Sequence, residues 1–154
     1  MKSTQMQNKK AIRSEGISYP RLPGVALLAA LAAAVANTLV YFAASALGTI
    51  SQGVLLPSPM GMSPLTVGLV ATTSVIGTVG AAIVFAVIGL FARRPVRVFR
   101  IIAGVVLVLS FAMPATVPGV PVVMRLSLMV MHVVAWAVSV GLLTTLARQE
   151  VVSA

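Results

Sequence analysis

The stretch FARRPVRVFR, residues 91–100, interrupts a chain that is otherwise almost free of charge. The sequence has no charged residue between Arg21 and Arg93, and an apolar run long enough to cross a bilayer lies on each side of the break. A short basic break between two such runs is typical of a cytoplasmic loop between transmembrane helices. Its four basic residues are Arg93, Arg94, Arg97 and Arg100.

The other charged residues fit the same orientation. The chain has 11 Lys and Arg against 2 Asp and Glu. Arg148 follows the last apolar run, and Arg125 alone lies near the other membrane face. Because cytoplasmic segments carry an excess of Lys and Arg, the pattern predicts four spans with the N- and C-termini both cytoplasmic. The basic residues before the first span are Lys2, Lys9, Lys10, Arg13 and Arg21.

The composition excludes a soluble domain and argues against nucleic-acid binding. Of 154 residues, 59% are hydrophobic and 8% are charged, whereas soluble domains carry about 25% charged residues. The net charge of +9 comes from residues that flank the spans, without interleaved aromatic residues. Anionic lipid headgroups on the cytoplasmic side are therefore the expected partner. The chain has no cysteine, which excludes disulfides and thiolate metal sites.

We expect an all-α fold, a four-helix transmembrane bundle made of two antiparallel helical hairpins. Residues 1–23 are predicted to be a flexible basic cytoplasmic tail, residues 24–147 the transmembrane domain and residues 148–154 a short cytoplasmic tail. The apolar run from residue 24 continues to Leu47, which is too long for a cleaved signal peptide despite the A-x-A sequence at residues 34–36. The predicted spans are about 24–48, 64–92, 96–113 and 122–146.

Polar residues within the spans are the candidate functional residues, because buried polar groups in a membrane are costly. Their depths, at about 1.5 Å per residue, place several near the middle of the bilayer. The simplest arrangement turns them inward, so that Asn37 or a threonine hydroxyl bonds His132. The candidate layer consists of Asn37, Tyr41, Thr72, Thr73, Ser110 and His132, with Ser74, Thr78 and Ser139 nearby.

His132 has two interpretations. Membrane helices use His, Asn, Ser and Thr to hydrogen-bond one another, and this structural role is the expectation. A metal or haem site is the alternative, but one histidine supplies one ligand where such sites need three or four. We therefore predict no cofactor and no metal.

Arg125 lies in the fourth span without an acidic partner there, since Glu15 and Glu150 are both in the tails. A buried unpaired charge would be costly. Its side chain is expected to extend to the outer surface. The alternatives are a lipid phosphate, loop carbonyls or a partner protein. Arg93, Arg94, Arg97 and Arg100 are the other candidate lipid or partner contacts.

One group of motifs resembles a known family. The stretch RRPVRVFRIIA at residues 93–103 is followed by Ser110, Pro114, Leu128 and the pair Met131-His132, and Asn37 lies in an Ala-rich first span. This arrangement is similar to the bacterial domain-of-unknown-function family 6069, small four-span membrane proteins. The resemblance covers about residues 23–148 and implies the architecture alone.

The sequence leaves two functional hypotheses for a multi-pass protein of the bacterial inner (cytoplasmic) membrane. The first is a non-enzymatic accessory or structural subunit that binds lipid, a partner membrane protein or a second copy of itself. The second is a small transporter or channel-like carrier that uses the midplane polar layer. Enzymatic mechanisms have the least support, because the spans contain no carboxylate and no nucleophile with an orienting acid. A water-filled cavity that reaches the polar layer would favour the carrier, and a dry, closed bundle would favour the subunit.

Overall fold

The computed structural model describes residues 13–51, 53–58 and 61–152. The helices are α1 (Leu22–Ala46), α2 (Val67–Phe91), α3 (Pro95–Ser110), α4 (Ala112–Thr116) and α5 (Val122–Leu146). Four helices are long and apolar enough to cross a membrane, with α3 and α4 together forming the third, Pro95–Thr116. The predicted all-α, four-helix membrane architecture is therefore confirmed. Four short strands accompany the helices: β1 (Arg13–Ile17), β2 (Leu55–Ser58), β3 (Gly61–Pro64) and β4 (Arg148–Val152).

Local sequence explains where the helices begin and end. The side chain of Thr66 caps α2 by accepting a hydrogen bond from the Leu69 amide, 3.2 Å away. Pro95 occupies the first turn of α3, where no intrahelical amide bond is lost. The third span is broken at Phe111, and Pro114 has no N–H to donate to the carbonyl of Ser110. This proline accounts for the separation of α3 from α4.

Strands β1 and β4 and the α2–α3 connection lie at one end of the bundle, here called the tail end. The opposite end, called the hairpin end, carries the antiparallel β2–β3 hairpin and the α4–α5 connection. Among the described residues, the arginines outside strand β1 lie at the tail end except for Arg125. They are Arg21, Arg93, Arg94, Arg97, Arg100 and Arg148.

Helix α1 packs against both α2 and α5. Its alanines allow this close approach: Ala29 and Ala33 are completely buried. Helix α3, in contrast, has buried residues only at its beginning, Pro95, Val96 and Phe99. The middle of α3 therefore stands away from the other helices.

The tail end is closed by a small antiparallel sheet in which β1 pairs with β4, Ile17 lying opposite Arg148. The sheet is tied to the bundle by the amide of Ser18, which donates to the Ala147 carbonyl at 2.8 Å, and by the Tyr19 hydroxyl, which donates to the Ala86 carbonyl at 3.1 Å. The segment from residue 13 onward thus differs from the flexible tail that we predicted. The two strands meet because α1 and α5 are neighbours, and the first residue of α1 lies at the same end of the bundle as the last residue of α5. Residues 1–12 of that predicted tail lie outside the described residues.

Candidate functional site

A cavity of about 520 Å³ lies where α3 stands away from α2 and α5. We call it the α3 groove. Its lining on the α2 and α3 walls includes exposed residues such as Gly77, Gly80 and Val106, whereas the α5 wall is buried or half-buried. The groove therefore opens between α2 and α3, toward the surface that a lipid bilayer would cover.

Apolar side chains pack at both ends of the α3 groove. At the tail end the rings of Phe85 and Phe99 lie against each other with their centroids 4.7 Å apart and their planes tilted by 43°, and both side chains are buried. At the hairpin end the lining includes Leu56 of β2 and Leu65, which are buried, and Pro57, which is exposed. The Phe85–Phe99 pair thus bounds the groove at the tail end.

The floor of the groove is formed by two interhelical hydrogen bonds. The Asn37 side-chain amide donates from Nδ2 to Ser74 Oγ at 2.9 Å. The hydroxyls of Thr78 and Ser139 lie 2.7 Å apart and join α2 to α5. These four polar side chains are buried, so the bonds supply partners that the bilayer could not.

The remaining hydroxyls of the groove donate to their own helices. Thr73 Oγ1 donates to the Leu69 carbonyl at 2.8 Å, and Ser110 Oγ donates to the Leu107 carbonyl at 2.6 Å. A hydroxyl has one hydrogen and two acceptor lone pairs. Each of these oxygens therefore keeps acceptor capacity and has no free hydrogen.

His132 also bonds its own helix. Its Nδ1 lies 2.7 Å from the Leu128 carbonyl, and since a carbonyl only accepts, Nδ1 carries a hydrogen. In the neutral ring Nε2 is then an acceptor, and it has no hydrogen-bond partner among the described residues. The predicted bond from Asn37 or a threonine to His132 is absent there, because the asparagine bonds Ser74 and the imidazole is held by the helix carbonyl. The edge of the His132 ring packs against Phe111 with centroids 6.5 Å apart.

Among the described residues, three buried polar atoms lack a hydrogen-bond partner: Asn37 Oδ1, Ser45 Oγ and Trp136 Nε1. Asn37 and Trp136 both line the groove, so two of the three unpaired atoms belong to its residues. Trp136 was not among the candidate functional residues predicted from the sequence. Its position in the middle of a span was the available signal, because membrane tryptophans are enriched at the interfaces.

The structure brings together four of the six candidates for the polar layer: Asn37, Thr73, Ser110 and His132 line the same groove. Tyr41 lies apart and donates its hydroxyl to the Leu65 carbonyl at 3.4 Å. Thr72 is exposed and is not part of the lining.

Arg125 binds the α4–α5 connection. Its Nε donates to the Val120 carbonyl at 3.0 Å, Nη1 to the Ala115 carbonyl at 2.9 Å and Nη2 to the Val117 carbonyl at 3.3 Å. The sequence led us to expect a side chain that extends to the outer surface, with loop carbonyls as one alternative. The structure shows the backbone carbonyls as the partners. The guanidinium fork thus fixes the turn that leads into α5.

The basic residues of the α2–α3 connection differ in their surroundings. Arg93, Arg94 and Arg97 are exposed. Arg100 donates from Nη2 to Thr144 Oγ1 at 3.0 Å and lines a second cavity of about 460 Å³ beside Trp136 on the α3–α5 side. This contact links α3 to the tail end of α5.

The donor set does not fit a metal centre. No group of three or more His, Cys, Asp or Glu side chains occurs in the part of the chain that the structure describes. His132 instead lines a largely apolar groove, with its ring beside that of Phe111.

The comparisons with known proteins give one match. A model described as a family of unknown function (DUF6069) matches residues 17–149, which covers all four long helices. No curated protein and no solved structure matches the chain.

Proposed function

We propose that this chain, which belongs to the family of unknown function DUF6069, is a non-enzymatic membrane protein that binds a neutral, lipid-like molecule in the α3 groove. The observation that carries the proposal is the groove itself: about 520 Å³, within the range of about 300–1,000 Å³ that small-molecule sites occupy. Its walls are apolar and its floor holds a few neutral polar groups. That combination is typical of a ligand site.

The opening of the groove supports a ligand that arrives from the bilayer. Gly77 and Gly80 are exposed, and the space around the position of a Cβ atom at each of them is empty to 4 Å. A hydrocarbon molecule could enter between α2 and α3 without crossing a polar barrier. The missing van der Waals contacts along α3 are what such a molecule would supply.

The distribution of charge supports a cytoplasmic tail end in a bacterial inner membrane. Arg93, Arg94 and Arg97 are exposed there and would lie against anionic headgroups, each contributing about 1 kcal/mol near the surface. Arg125 alone carries a basic group at the hairpin end among the described residues. Binding of a partner membrane protein or of a second copy stays a prediction.

The carrier hypothesis has one supporting observation, namely that the groove reaches the buried Asn37. The Phe85 and Phe99 rings bound the groove at the tail end below it. Passage through the bundle would require these rings to separate. The binding role needs no such movement, and the geometry supports it better.

Trp136 provides the test, because it is the single tryptophan of the chain and lines the groove. A long-chain methyl ether with bromine atoms along its chain quenches tryptophan fluorescence on contact. In detergent micelles, the purified protein should show saturable quenching that an unbrominated ether reverses. Replacing Gly80 with leucine should abolish the saturable part, since the new side chain fills the groove.

Gly104→Leu is the matched control. It is also a helical glycine with empty space around its Cβ position, but it lies on α3 outside the groove lining. This variant should keep the saturable quenching. Equal loss in both variants, or quenching that never saturates, would contradict the proposed function.

A further inference from the structure

We infer that the α3 groove selects a neutral lipid whose head is a hydroxyl group, bound with the hydroxyl toward the hairpin end and the hydrocarbon chain toward the tail end. The inference rests on the proposed function and adds the chemistry and direction of the ligand.

The hydrogen bonds already made by the side chains of the groove favour a ligand that donates a hydrogen bond. The hydroxyls of Thr73 and Ser110 donate to the carbonyls of Leu69 and Leu107. The Nδ1 hydrogen of His132 is donated to the Leu128 carbonyl. What remains at these three side chains is acceptor capacity. Asn37 Oδ1, buried at the floor, is another acceptor without a partner.

One unpaired group has the opposite character. Trp136 Nε1 is a donor without a partner. Like Asn37 Oδ1 it is buried, so a ligand in the groove does not reach either atom. A hydroxyl can donate to the acceptors at Thr73, Ser110 and His132. An ether or an ester carbonyl can only accept, and it would leave the acceptors of the groove unmet.

The absence of charge from the groove lining excludes an ionic head at this position. Among the described residues, the lining contains no Asp, Glu, Lys or Arg. Transferring an isolated carboxylate or ammonium group there would carry a large desolvation cost without a counter-charge. A phosphate or fatty-acid head is therefore disfavoured, although its chain would fit the walls.

Three acceptors of the groove lie in one half of it, which sets the direction of the ligand. Thr73 is the seventh residue of α2, Ser110 is the last of α3, and His132 is the eleventh of the 25 residues of α5. All three lie in the half nearer the hairpin end. The other half is lined mainly by apolar residues, and its polar groups are Trp136 and the Ser139 hydroxyl, which is already bonded to Thr78. The apolar residues there include Val84, Phe99, Ile102, Ala103 and Val140.

This polarity has the same sense as a lipid of the leaflet at the hairpin end, whose head is nearer that surface than its chain is. Because His132 is about 15 Å from the start of α5 at about 1.5 Å per residue, the bound hydroxyl would lie within the span, below that surface. Such a molecule can move sideways into the groove without turning over. The opening between α2 and α3 is on the surface that a bilayer would cover, which permits this sideways entry.

The experiment compares three brominated probes with the same chain: an alcohol, its methyl ether and the corresponding carboxylate. Quenching of Trp136 reports the binding of each. We expect the alcohol to bind about three- to tenfold more tightly than the ether, the range of one net hydrogen bond, and the carboxylate to bind more weakly than both. His132→Leu should lower the affinity for the alcohol to that for the ether, and the affinity for the ether should be unchanged.

Two variants keep the comparison interpretable. Ser110→Ala removes another acceptor from the same half with a smaller change in volume, and should lower the preference for the alcohol. Thr145→Val is the control: Thr145 donates to the Gly141 carbonyl at 2.7 Å in the same manner but is exposed outside the groove. It should leave all three affinities unchanged.

The outcomes separate the two proposals. Equal binding of alcohol and ether, with saturation abolished by Gly80→Leu, would overturn the hydroxyl preference and leave the groove as a binding site. Preferred binding of the carboxylate would also overturn it. Absence of saturable quenching by all three probes would instead remove the proposed function itself.

Discussion

Thr78 of α2 and Ser139 of α5 lie with their hydroxyl oxygens 2.7 Å apart. Since Thr78 donates to the Ser74 carbonyl at 2.8 Å, the hydrogen between the two oxygens comes from Ser139. Asn37 meets Ser74 one turn away on α2. Hydrogen bonds within one turn of α2 thus join three helices, α1, α2 and α5. Apolar clusters pack on either side of these bonds.

A double-mutant cycle should detect the bond between these hydroxyls. Thr78→Val and Ser139→Ala each remove it, and the double variant should be less destabilised than the sum of the single ones. We expect a coupling free energy of about 0.6 kcal/mol, the average for such bonds between membrane helices. Reversible unfolding in mixed micelles measures the free energy of each variant. A coupling indistinguishable from zero would show that the bond contributes nothing to stability.

Arg125→Lys should destabilise the connection between α4 and α5. The sequence alone favoured a side chain that extends to the surface, for which lysine is an adequate substitute. The three carbonyls bound by Nε, Nη1 and Nη2 require a planar fork, which lysine lacks. We expect a loss of about 1.5–3 kcal/mol, the range of hydrogen bonds to charged groups. Faster amide hydrogen exchange across residues 115–121 should accompany it, and unchanged exchange there would contradict this role.

Gly89→Ala should displace β1 from the bundle. A methyl group at this position would lie 2.6 Å from the Tyr19 hydroxyl oxygen and would also overlap Ile17. Alanine favours the helix itself, so α2 should remain intact while the amides of β1 and β4 exchange faster. Gly80→Ala is the control, since its Cβ position is open. Equal protection of the strands in both variants would show that Gly89 is not needed for this packing.

Reporter fusions test the orientation. Fusions after Arg94 and Ala154 should be cytoplasmic, and fusions after Gly61 and Gly119 should be external, because the basic residues favour a cytoplasmic tail end. Cysteine labelling at the same positions, in a chain without native cysteine, gives an independent measurement. An external reading after Ala154 would contradict the positive-inside argument.

The helices were predictable because each is a long apolar run bounded by charge, proline or glycine. The predicted fourth span, 122–146, has the same bounds as α5, Val122–Leu146. The second begins later than predicted, at Val67 instead of residue 64, because Gly61–Pro64 pairs with β2. Four-residue strands within an uncharged loop carry too little periodicity to be distinguished from irregular chain.

The groove was less predictable than the polar residues that line it. The rise of about 1.5 Å per residue placed Asn37, Thr72–Ser74 and His132 at similar depths, but depth does not fix which face of a helix a residue occupies. The carbonyl of Leu128 in the same helix bonds His132 Nδ1. The spacing of the polar residues does not show whether a histidine bonds its own helix or a neighbouring one. The separation of α3 from its neighbours depends on packing among helices that are apolar on all sides, so hydrophobic pattern cannot reveal it.

The pairing of β1 with β4 has a consequence for the order of synthesis. β1 leaves the ribosome before any of the long helices, whereas β4 follows all of them, so the earlier strand must wait for its partner. The sheet can form only when α1 and α5 have been inserted side by side. Closure of this long-range contact is therefore a late event, and protection of the Arg13–Ile17 amides reports that every span has been inserted.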